Sequence, residues 1–69
     1  MRVVIYFSKD NSLILNSGMI NENDLNKIVN WFKQEESEVI SVEYKANDTF
    51  GEFLLNRRNI EYIKTEHKY

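Results

Sequence analysis

The side chains able to attack a substrate, hold a metal or relay a proton are few in this chain and badly spaced for the work. Nucleophilic catalysis needs an activated group with a base beside it, yet there is no cysteine and His67 is the single histidine. Asp10, Asp48 and the cluster Glu35, Glu36 and Glu38 follow neither EF-hand nor zinc spacing. Gly18 and Gly51 stand alone, whereas a phosphate cradle needs clustered glycines. A chain of this size is also not expected to enclose a ligand pocket of about 300 Å³ or more. The expectation is a protein that is not an enzyme and carries neither cofactor nor metal.

What remains is recognition chemistry. Arg57-Arg58, set between Asn56 and Asn59, is the one concentrated positive feature. Its plain reading is a solvated turn whose asparagines tolerate left-handed backbone. Its functional reading is a contact to an anion or acidic partner, because arginine forks match carboxylate and phosphate. Trp31 falls beyond Ile28 at the edge of a helical stripe, which predicts a ring only partly buried. Such a ring either caps the core or meets a partner. The acidic segment Glu35, Glu36 and Glu38 reads as a solvated loop. Trp31, Glu35, Glu36, Glu38, Arg57 and Arg58 form the expected partner-binding face. Thr49-Phe50-Gly51-Glu52-Phe53-Leu54 has the rings of an RNA-stacking strand, but Glu52 sets a negative charge beside them and core packing accounts for them better.

Composition narrows the classes further. Nine basic and eleven acidic residues give a net charge of −2 with no long run of either sign, which disfavours sequence-independent nucleic-acid binding. The apolar run in Met1–Phe7 is too short for a secretory or membrane-spanning segment, so a cytoplasmic protein with no membrane partner is expected. The 69 residues are read as one domain. A domain so small buries only roughly 60% of the surface its unfolded chain exposes, and without disulfide or metal the remaining means of support is association.

The elements that would position these residues are legible in the periodicity. Leu25, Ile28, Val29 and Phe32 recur at i, i+3, i+4 and i+7, which predicts a helix over 22–35. Asn21 is its N-cap, Glu22 and Asp24 suit the positive end of its dipole, and Ile20 with Leu25 has the spacing of a hydrophobic staple. No glycine or proline stops the helix, and the carboxylates after Gln34 sit badly at its negative end, so it should fray near Glu35. Residues 2–8 and 12–16 read as a hairpin around Lys9-Asp10-Asn11. Three further strands follow over 40–45, 50–55 and 60–65, joined by turns at 47–49 and 56–59. Gly51 reads as a bulge or a packing gap within its strand. The fold class is α+β, a small mostly antiparallel sheet in the order ββαβββ with one amphipathic helix on one face.

One helix covers one face. With Val3, Ile5, Phe7, Ile40, Val42, Tyr44, Phe53 and Leu55 toward the helix, the pleat sends Val4, Tyr6, Phe50 and Leu54 to the opposite side. That second face is too apolar for water. Either the sheet curls on itself, or two copies pack these faces together. A homodimer is the expectation, with Val4, Tyr6, Phe50 and Leu54 as its self-interface.

Nine asparagines, seven isoleucines, six lysines and a single alanine suggest a low-GC coding sequence. The segment Leu54-Leu55-Asn56-Arg57-Arg58-Asn59-Ile60-Glu61-Tyr62-Ile63 resembles the closing strand, Asn-rich turn and Ile-x-x-Ile of small uncharacterised accessory proteins of low-GC Gram-positive phages and prophages. The resemblance implies a short protein that blocks a host defence system by binding a larger host protein, and carries over no catalytic residue. Two other readings stand beside it. One is a nucleic-acid or nucleotide binder using Arg57, Arg58, Lys45 and an exposed Tyr62 or Tyr44. The other is a self-assembling structural subunit.

Overall fold

The computed structural model describes residues 1–34 and 37–68. Five strands and one helix follow the order β1 (Arg2–Ser8), β2 (Asn11–Asn16), α1 (Glu22–Gln34), β3 (Val39–Ala46), β4 (Thr49–Asn56) and β5 (Tyr62–Glu66), with a 3-10 turn at Arg57–Asn59 before β5. The element order is the one expected from the sequence. The sheet, however, is two sheets: β2-β1-β5 and β3-β4, every pairing antiparallel.

The helix begins as its sequence dictates. The Asn21 side chain accepts from the Asp24 N–H at 2.9 Å, satisfying one of the donors that a first turn leaves open. Ile20 and Leu25, on either side of that cap, are both buried. The helix lies against β3 and buries Leu25, Ile28 and Trp31. Val29 and Phe32 flank this stripe half-buried, so the apolar face is turned toward Trp31 relative to the stripe read from spacing.

Alternation along the strands supplies the rest of the core. Val3 and Ile5 on β1, Leu15 on β2, Val42 on β3 and Leu55 on β4 pack with the helix residues, Ile20 and Ile60. Phe7, Ile40, Tyr44 and Phe53 pack against this cluster, so all eight side chains expected on the helix side lie in or against the core. β1 is flanked on both edges, and its register slips between Tyr6 and Ser8 opposite β2, which gives one extra residue to the β1 side. In β3-β4 the register is unbroken, and Ala46 and Thr49 bracket a two-residue loop whose Asn47 has φ 54°. Asparagine tolerates this left-handed backbone better than other residues with a Cβ.

Gly51 is therefore no bulge. Tyr44 is its cross-strand partner, and a Cβ there would lie 3.4 Å from the Tyr44 ring. The ring covers the strand where glycine leaves room, which is the packing gap anticipated. The two sheets are bridged by the segment after β2, where the Met19 carbonyl accepts from the Lys45 N–H of β3 at 3.0 Å. Among the described residues, no helix is long and apolar enough to cross a membrane.

Asn21→Ala removes the cap and is expected to cost about 1 kcal/mol in urea unfolding, while Asn21→Asp stays near the parent. An alanine variant as stable as the parent would contradict this account of the helix start.

Candidate partner-binding site

The expected recognition residues divide into a clamp that holds the fold and a surface that is left open. Trp31 belongs to the clamp. Trp31 is only 8% exposed, more deeply covered than the partly buried ring its wheel position predicts, and its indole N–H donates to the Ser37 carbonyl at 2.9 Å. The cover comes from Arg57, whose guanidinium lies 4.9 Å from the centre of the indole. That guanidinium donates to the carbonyl of Trp31 and to that of Ser37.

The Trp31 carbonyl is in the last turn of α1, one of the four that a helix leaves without an intrahelical donor. A cation there also meets the negative end of the dipole. Arg57 thus does what a glycine cap does elsewhere, from 26 residues further along the chain. Its Nε is buried with no partner among the described residues, a cost that the carbonyl bonds and the indole contact offset. The backbone contributes as well, with the Arg57 N–H donating to the Glu38 carbonyl at 2.7 Å.

Arg58 points the other way. Its guanidinium pairs with the Glu38 carboxylate at 3.2 Å, both side chains being well exposed. A surface pair of this kind contributes little to stability. The two arginines expected to act together therefore have different surroundings, because the 3-10 turn, opened by the Asn56 side chain accepting from the Arg58 N–H at 3.0 Å, sends them apart. Glu35 and Glu36 lie outside the described residues, so of the acidic segment only Glu38 is placed.

The four residues expected to form one self-interface lie on two separate sheets. Val4 and Tyr6 are on the outer face of β2-β1-β5. Val4 is already buried within a single copy, 5% exposed, between its cross-strand partners Ile14 and Lys64. Tyr6 stacks on Tyr62 with ring centres 4.4 Å apart, and Lys64 approaches the Tyr6 ring at 5.9 Å. The central strand of a three-stranded sheet can hide a small apolar residue under its own neighbours, a covering that the one-sheet arithmetic leaves out.

Phe50 and Leu54 are different. They are 83% and 67% exposed and lie on the outer face of β3-β4, where Lys45 is opposite Phe50, Glu43 opposite Glu52 and Ser41 opposite Leu54. Leu54 also forms the rim of an apolar groove of about 400 Å³, lined by Leu13 and Leu15 of β2, Tyr44 of β3, and Phe53 and Leu55 of β4. A cavity of this volume corrects the expectation that so short a chain leaves no room for one. Sequence spacing pointed to none of this groove, since it arises where two sheets fail to join.

The residues of the nucleic-acid reading do not gather. Tyr44 faces inward, tilted on Phe53 with ring centres 5.9 Å apart, Lys45 faces outward from the same strand, and Tyr62 is on the other sheet. A wider polar cleft of about 690 Å³ takes in Arg2, Glu66 and His67, where the Arg2 Nε donates to Glu66 at 2.6 Å. Among the described residues, no three histidine, aspartate or glutamate side chains are grouped to hold a metal ion.

Arg57→Ala should cost about 2 kcal/mol in thermal or urea unfolding, from the loss of charge-assisted bonds to carbonyls and of the cover on the indole, and Trp31 emission should shift to the red. Arg58→Ala should change stability by under about 0.5 kcal/mol. Equal effects of the two variants would contradict the division of roles. Searches of protein-family models, of curated proteins and of solved structures find no match to this chain.

Proposed function

We propose that this chain is a non-enzymatic protein-binding module that works by occupying a surface on a larger protein, with the β3-β4 hairpin as its contact element. The observation that carries this reading is the pair Phe50 and Leu54, held out in water on one face of the hairpin, with Leu54 also lining an apolar groove. Scattered surface hydrophobics are ordinary, but large side chains contiguous with an apolar cleft mark interaction sites. The groove lining named above offers one polar side-chain group, the Tyr44 hydroxyl, which suits it to apolar side chains and not to chemistry on a substrate. An inhibitor that blocks a host protein, the role the phage-type resemblance implies, would act through such a surface.

The hairpin is built to present these residues. Exposed Phe50 is not needed by the core, and its replacement leaves the inward row of Ile40, Val42, Tyr44, Phe53 and Leu55 untouched. Affinity capture from the native host with the parent and with a Phe50→Ser/Leu54→Ser double variant tests the reading. The parent is expected to retain a specific partner that the variant loses, while unfolding free energies agree within about 0.5 kcal/mol. Capture of the same partner by both proteins would overturn the assignment of this surface. Retention of nucleic acid that weakens steeply with salt would replace the reading with the nucleic-acid one.

A further inference from the structure

The free edge of β4 points to the form of the partner. In an antiparallel pair, residues that exchange hydrogen bonds alternate with residues whose N–H and C=O point outward. Ala46 and Thr49 flank a two-residue loop, so they, and with them Tyr44/Gly51, Val42/Phe53 and Ile40/Leu55, are the bonded pairs. Two contacts confirm the phase. The Arg57 N–H continues the ladder to Glu38, and Lys45, an outward residue of β3, sends its N–H to Met19. The backbone groups of Phe50, Glu52 and Leu54 therefore face away from β3, along an edge where β4 has no strand partner among the described residues.

Natural edge strands are usually guarded by charged side chains, lysine above all, by proline or by a bulge, and the one charge on β4 is Glu52. β4 has no lysine and no proline, and its register with β3 contains no bulge. A strand laid along this edge would direct alternate side chains inward to the groove between β2 and β4, and the others outward beside Phe50 and Leu54.

Charge selects the occupant. Glu43 and Glu52 stand directly opposite each other on the outer face, an arrangement that destabilises a sheet. Among the described residues neither takes part in an ion pair, and Glu52 accepts only from the Ser41 hydroxyl at 2.7 Å. A second copy pairing through β4 would bring more carboxylate and no cation, since Thr49–Asn56 contains neither lysine nor arginine. An extended segment with lysine or arginine between apolar residues would relieve the repulsion.

Resting on the protein-binding reading above, we propose that β4 accepts an extended segment of a partner protein as an added strand, apolar toward the groove and basic over Glu43 and Glu52. Main-chain bonds then supply affinity and alternate side chains supply specificity.

The test is selection of random decapeptides on the intact chain, followed by amide exchange with the best peptide bound. Enriched peptides are expected to alternate apolar with basic residues and to slow exchange at Phe50, Glu52 and Leu54. The Glu43→Gln/Glu52→Gln variant should bind the best peptide about tenfold more weakly. A proline at the centre of the peptide should weaken binding at least as much, through the lost N–H. Failure to enrich any peptide, enrichment of acidic or helix-spaced peptides, binding without protection of those three amides, or protection that rises with protein concentration alone would overturn the proposal. If the Phe50→Ser/Leu54→Ser variant still loses the host partner in that event, the binding reading stands and strand addition alone falls.

Discussion

The Arg57 guanidinium, reaching from the end of β4 to the Trp31 and Ser37 carbonyls, is the interaction on which the arrangement of the two sheets depends. It ties the last turn of the helix to the base of the β3-β4 hairpin. Apolar burial alone is non-directional and would let a two-stranded hairpin slide over one helix. Two isolated strands are also marginal in water. Together with the Lys45 N–H bond to the Met19 carbonyl, the clamp gives the hairpin an orientation in which β2 and β4 line a shared groove and are not paired.

The size of the chain gains a different meaning in this light. With 69 residues and one helix among those described, apolar residues on both sides of the strands exceed what the helix covers. Part of that excess is hidden locally, as Val4 is beneath its neighbours. Of the remainder, Ile14 and Tyr62 are about half exposed on the other sheet, and the two most exposed side chains, Phe50 and Leu54, share one hairpin next to an open edge. The most exposed apolar side chains thus lie where backbone hydrogen bonds are also open to a partner.

Much of the fold was legible because it is local. The Asn21 cap, the Ile20 and Leu25 staple and the alternation of Val42 and Tyr44 with Glu43 and Lys45 are each written within a few residues. The sites were less legible because they depend on contacts between distant segments. Nothing near Trp31 in sequence announces that Arg57 will cover it, and nothing in Arg57-Arg58 distinguishes the half-buried arginine from the exposed one. The division into two sheets is likewise a matter of which strands meet, and alternation specifies faces without specifying neighbours. The outward placing of Phe50 and Leu54 is legible from the pleat alone, since the face of each strand position is fixed by a period of two.

Amide hydrogen exchange along β4 in the free protein is the most direct measurement of the central claim, that this strand ends the sheet with its outward groups open. The account predicts alternation: slow exchange at Gly51, Phe53 and Leu55, which bond to β3, and fast exchange at Phe50, Glu52 and Leu54. Uniform protection along the strand, independent of protein concentration, would show the edge already covered within one chain and would contradict it.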